Sequence, residues 1–104
     1  MDAQMKKGVL EMCVLHLLAG GPMYGYELMK TVQEAFPDVY DGSVYAVLRR
    51  LHTDGCAETF FGETSGGPTR KYYRLTDAGR KRLSEALEEW RSLVAAVRHL
   101  KVPV

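Results

Sequence analysis

Arg70, Lys71 and Arg74 follow directly on a Gly66-Gly67-Pro68 turn, with Tyr72 and Tyr73 between them. Cations this dense beside a narrow glycine-rich tip suit contact with nucleic-acid phosphates. The glycines would keep the tip slim and flexible enough to lie along a minor groove. Arg70 and Lys71, just past it, would then meet the phosphate rails. In a strand Tyr72 and Tyr73 must point to opposite faces, one towards the core and one towards the surface. The competing reading is a solubilising edge hairpin whose cations discourage strand-to-strand association.

A second group of candidate contacts lies upstream, in "SVYAVLRRLHTDG". Val44, Val47, Leu48 and Leu51 recur at i, i+3, i+4 and i+7, the stripe of a helix with one face in a core. At about 100° per residue the opposite face carries Gly42, Ala46, Arg49 and Thr53, flanked by Ser43, Tyr45 and Arg50. That is the make-up a helix needs to enter a major groove. Small residues allow close approach, Ser43 can donate to a phosphate, and Tyr45 can meet a phosphate or a thymine methyl. Arg49 can reach guanine or the backbone. Alone, this face is equally well a solvated one with two ordinary arginines; the cationic hairpin behind it favours DNA.

The elements that must position these groups are legible. Residues 6–19 read as a helix stopped by Gly20-Gly21-Pro22, apolar around most of its circumference and so covered on more than one side, the second side by another subunit. Residues 24–36 form a second helical pattern ended by Pro37, and Asp41 or Ser43 can cap the third, which Gly55 stops. "CAETFF" and "RKYYRL" read as strands flanking the turn. Thr76 is an N-cap for a last helix from about Asp77 to Leu100, with Asp77 placed favourably for its dipole. Leu83, Leu87, Trp90, Val94 and Val97 are spaced like a coiled-coil seam, widened by Leu93 and Leu100. The order is helix–helix–helix–strand–wing–strand–helix. It predicts an α+β, mainly α fold: a winged helix-turn-helix over residues 1–75 and a C-terminal dimerisation helix over 76–104.

Composition narrows the function. A chain of 104 residues suits one small domain, a size at which a partner chain relieves a shortage of core. The net charge is only +1, but it is segregated: the stretch from Arg49 to Arg82 has eight cations and four carboxylates, leaving six and nine elsewhere. No apolar run approaches a membrane span and no secretory signal is recognisable, so a cytoplasmic location is expected. Cys13 and Cys56 form no CxxC pair and read as reduced, buried thiols. Cys13 and His16 are two ligands at most, so no metal site is expected, and no cofactor. No Ser/His/Asp or Cys/His grouping can be drawn, and Glu85, Glu88 and Glu89 read as a solvated face, so no enzyme is expected.

"GPMYGYELMKTVQEAF", "DGSVYAVLRRLHTDG" and "GGPTRKYYRLTDAGR" together resemble the PadR family of bacterial transcriptional regulators, over about Lys7 to Trp90. The single C-terminal helix is similar to the family's small subclass. The resemblance implies a homodimeric winged-helix repressor that binds palindromic operator DNA and is released by a small effector. Tyr24, Gly25 and Tyr26 match the motif opening the family's second helix. Ser43 and Tyr45 match the start of its recognition helix, and Gly66, Gly67, Arg70, Lys71 and Tyr72 match its wing. His52 and Thr53 depart from the pattern, standing where many members have an acidic residue and then a lysine.

Trp90 has two readings. As a seam residue it is dimer core. In some small members of the family an aromatic on this helix lines a pore between subunits that accepts planar, apolar ligands. Companions here would be Leu10, Cys13, Val14 and Leu17 from the first helix, and Glu89, Leu93 and Val97 from the last. The alternative to an operator-binding regulator is a winged-helix module that binds a protein or a hydrophobic small molecule without reading DNA.

Overall fold

The computed structural model describes residues 3–63 and 67–103. Its elements are α1 (Ala3–Ala19), β1 (Met23–Tyr24), α2 (Gly25–Ala35), α3 (Asp41–Thr53), β2 (Ala57–Glu63), β3 (Thr69–Leu75) and α4 (Asp77–His99). This is the winged helix-turn-helix order, closed by a long C-terminal helix. No helix among the described residues is long and apolar enough to cross a membrane.

The core forms where the apolar faces of α1, α2 and α3 meet. Val14, Leu15, Leu18, Leu28, Val44, Leu48 and Leu51 are its largest fully buried side chains. All four apolar positions of the α3 stripe are buried, which leaves Gly42, Ala46, Arg49 and Thr53 exposed. The start of α3 corrects one expectation. The N-cap position is Tyr40 and no side chain caps it; Asp41 lies in the first turn. The Asp41 carboxylate instead accepts a hydrogen bond from Gln33 Nε2 at 2.6 Å, and the same amide donates to the Val39 carbonyl at 3.0 Å. Gln33 thereby fixes the turn between α2 and α3.

Gly55 ends α3 as expected, at φ 75°, a conformation glycine adopts without a Cβ clash. Its N–H donates to the His52 carbonyl and the Cys56 N–H reaches back to that of Leu51, the two bonds of a Schellman closure. Thr76 is the N-cap of α4, accepting from the Gly79 N–H at 3.1 Å. Its hydroxyl also donates to the Gly55 carbonyl at 2.7 Å, so one side chain fastens the start of α4 to the end of α3.

β2 and β3 pair antiparallel from Ala57↔Leu75 to Glu63↔Thr69. A third strand, unexpected from sequence, completes the sheet in the order β1-β3-β2. Tyr24 therefore lies in β1, paired with Tyr72, and α2 begins one residue later at Gly25. Two extended residues are too few to show a period of two, but they satisfy the free edge of β3.

Candidate nucleic-acid interface

The exposed face of α3, the first turn of α2 and strand β3 enclose a trough. One cleft of about 270 Å³ is lined by Tyr45, Arg49 and His52 from α3 and by Lys71 and Tyr73 from β3. An adjoining cleft of about 260 Å³ shares Tyr45, Lys71 and Tyr73 and adds Tyr24, Gly25, Tyr26 and Arg70. Residues up to 49 positions apart in the chain (Tyr24 to Tyr73) thus form one continuous surface.

The cations on this surface are held over aromatic faces. The Arg70 guanidinium carbon lies 4.7 Å from the Tyr24 ring centre, and Lys71 Nζ lies 5.6 Å from that of Tyr73. Lys30, which the sequence did not single out, stands 5.6 Å over Tyr26. A ring face holds a cation by about 0.5–1 kcal/mol at an exposed site and leaves its N–H edge free to donate. Among the described residues Arg70 Nε is buried without a hydrogen-bond partner.

The rings also brace one another across the outer face of the sheet. Tyr24 stacks on Tyr26 at 6.5 Å, meets Tyr72 edge-on at 5.8 Å, and Tyr72 stacks on Phe60 at 5.4 Å. Arg74 covers Phe60 at 4.8 Å while its Nε donates to Glu58 at 2.9 Å. Tyr73 turns the other way, against the core. The alternation expected of Tyr72 and Tyr73 is present, though Tyr24 covers the outward ring and both are half-buried.

Two helix starts lack a side-chain cap, at Tyr24, which lines the trough, and at Tyr40. Their first-turn N–H groups carry the positive end of a helix dipole and suit phosphate oxygens. Ser43 lies in the first turn of α3. Burial, and then the negative charge of Asp41, push the Tyr45 phenol above its ordinary range, which keeps it a neutral O–H donor.

Arg50 is the exception among the expected contacts. It turns away from the open face, and its Nε lies 3.4 Å from Glu11 Oε1 on α1. Gly66 lies outside the described residues, whereas Gly67 is exposed. Two exposed aromatics went unnoticed in the sequence: Tyr40 beside the start of α3 (79% exposed) and Phe61 opposite Lys71 in the hairpin (74%). Strand alternation gives no signal for the exposure of Phe61, since it shares a face with the buried Ala57.

The family model of the transcriptional regulator PadR-like family matches residues 14–85, which contain all of this surface. The chain belongs to the PadR-like family.

Among solved structures, a PadR-like transcriptional regulator from Bacillus cereus is 36% identical, with 98% of this chain and 100% of that chain covered and a TM-score of 0.87. A Streptococcus transcriptional regulator is 35% identical over 96% of this chain and 99% of its own, TM-score 0.89. A PadR family regulator from Eggerthella lenta is 32% identical, covering 97% and 88%, TM-score 0.78.

The second region of interest in this PadR-like chain is the groove side of α1 and α4. Leu10, Val14 and Leu83, expected at an interface, are buried in the chain's own core. Cys13, Leu17, Leu87 and Trp90 do meet, in an apolar cleft of about 370 Å³ closed by Phe36 of α2. Glu89, Trp90 and Leu93 border another of about 310 Å³, against Val9, Glu11 and Met12 of α1. Val94 shares a third wall of Trp90, and Val97 is half-buried further along α4. Burial pushes the Cys13 thiol up, away from reactivity. Among the described residues no group of three or more His, Cys, Asp or Glu could hold a metal ion.

Proposed function

We propose that the chain is a DNA-reading transcriptional regulator in which α3 enters the major groove and the β2–β3 hairpin lies along the adjacent minor groove. The observation that carries this is the trough that brings Arg49 and Tyr45 of α3 together with Arg70 and Lys71 of the hairpin. Tyr24, Tyr26, Ser43 and Tyr72 support it: Tyr24 holds Arg70 of the hairpin, Tyr26 holds Lys30, Tyr72 braces Tyr24, and Ser43 stands in the first turn of α3. Arg50 is left out of the reading set.

A homodimer is the second part of the proposal, with residues 76–104 as its dimerisation helix. Trp90, Leu93, Leu100 and Val102 are exposed along the end of the chain, an apolar stripe that a second copy would cover. Two-fold-related recognition helices would then read the half-sites of a palindromic operator about 34 Å apart. The clefts beside Trp90 suit a planar, apolar effector whose binding releases a repressor.

Anisotropy titration of the chain's own upstream promoter duplex, at two salt concentrations and beside a scrambled duplex, tests the reading. Tighter, strongly salt-dependent binding to the promoter is expected. Arg49→Ala should weaken it, and Arg70→Ala should reduce the slope of log affinity against log salt by about 1. Equal, weak binding to both duplexes would shift the weight to an interaction module that does not read operators.

A further inference from the structure

Arg50 stands on the recognition helix, yet its charge is used inside the protein. Glu11 Oε1 on α1 accepts from Arg50 Nε at 3.4 Å and from Arg82 Nη2 on α4 at 2.7 Å. Glu11 Oε2 faces Arg82 Nε at 3.4 Å, so the carboxylate is gripped on both oxygens. On the far side, Arg82 Nη1 donates to Asp54 Oδ2, at the C-cap of α3, at 2.9 Å. That bond, opposed in part by burial, makes Arg82 hold its proton more tightly than a free arginine. Two guanidiniums and two carboxylates therefore form a charge-balanced chain, Arg50–Glu11–Arg82–Asp54, joining α1, α3 and α4.

The chain of ion pairs is partly buried, with the Glu11 side chain only 19% exposed, so its bonds are less screened than those of a surface pair. Removing Glu11 would leave both arginines facing each other without their shared counter-ion. Glu11 also has a second role in the architecture: with Met12, Trp90 and Leu93 it forms a wall of the cleft between α1 and α4. One side chain therefore touches both the groove beside Trp90 and the helix proposed to read DNA.

We propose that Glu11 is the joint through which the α1–α4 cleft and the recognition helix sense each other, and that Arg50 is a positioning residue and not a DNA contact. The inference rests on the DNA-reading function proposed above. A molecule or partner helix entering the cleft and shifting Glu11 changes the hold on Arg50 and Arg82 together, and with it the pose of α3 against α4. Binding linkage is reciprocal, so DNA on α3 must alter the cleft by the same coupling.

Trp90 is the sole tryptophan and sits in that cleft, so its emission reports the coupling directly. The upstream promoter duplex is titrated into wild type, Glu11→Gln and Arg50→Gln, reading labelled-DNA anisotropy and Trp90 emission together, with the scrambled duplex as the control for quenching. Wild type should show an emission change that saturates with DNA binding. Both variants should bind about tenfold more weakly, inside the usual range of couplings, with the wild-type salt slope and without the emission change. Arg50→Lys, which keeps the charge, covers the case in which Arg50→Gln fails to fold; it should retain part of the emission change.

An emission change undiminished in Glu11→Gln overturns the joint. A salt slope reduced by about 1 in Arg50→Gln would make Arg50 a phosphate contact and overturn its positioning role. Wild type that binds the promoter with no change at Trp90 defeats this inference alone, whereas wild type that does not bind the promoter defeats the DNA-reading function with it.

Discussion

The two halves of α4 have opposite surroundings. At its start, Gly79 and Leu83 are buried against the body, and Thr76 ties the helix to the end of α3. Past Leu87 the same apolar spacing continues, but Trp90 and Leu93 are 41% and 56% exposed. A single stripe thus does two jobs, closing the chain's own core with its first turns and presenting an uncovered apolar surface with its last. An apolar repeat specifies burial, but which partner supplies it depends on how far the body reaches along the helix.

The sharpest break in that comparison is Gly79→Ala. A Cβ there would lie 2.1 Å from the Cys56 carbonyl oxygen and 2.6 Å from Leu75 Cδ1, and the oxygen, being backbone, cannot move aside as a side-chain tip would. The start of α4 would have to shift, at about 3 kcal/mol, and thermal unfolding should fall by roughly 10 °C or more. In the open half, Leu93→Glu should leave the melting of the isolated protomer within about 0.5 kcal/mol. Its effect should appear in assembly: sedimentation equilibrium should show a self-association constant weakened by about 2 kcal/mol, near thirtyfold. An unchanged constant would mean that the exposed stripe has another occupant. The smallest effect is expected at the junction itself. Thr76→Ala loses the cap on Gly79 and the bond to Gly55, so a chemical-denaturation midpoint should report about 1 kcal/mol less stability.

How legible each region was follows from the range of the forces involved. The α3 stripe was readable because Val44, Val47, Leu48 and Leu51 meet the core from one helix face, and periodicity alone reveals that. The end of α3 and the start of α4 were readable because Gly55 and Thr76 act within a few residues of where they stand. The expected cap on α3 was not found, because Gln33, eight residues before Asp41, took up that carboxylate. In α1 apolar residues cover most of the circumference, so periodicity could not show that Leu10 and Val14 face inward while Cys13 and Leu17 border a cleft.

The candidate DNA-reading surface was legible by parts. Arg70, Lys71 and Arg49 were recognisable as candidates from their neighbours and their helix face. Their convergence depended on β1, two residues long, which brings Tyr24 beside Tyr72 and Arg70. Helix spacing set Arg50 at the flank of the face that carries Arg49, but could not show that it is paired, because the carboxylate that claims it lies 39 positions away.

By itself the sequence determined the helical periods, the glycine stop, the threonine cap, the cationic hairpin and hence the winged-helix order, since each depends on residues within one or two turns. Only the tertiary structure decided which residues of α1 face inward, which arginine of α3 is taken into an ion pair, and which side chain borders both that arginine and the α1–α4 cleft. Those outcomes are set by contacts between groups dozens of residues apart, where burial and ion pairing depend on the packed geometry and leave no local pattern in the chain.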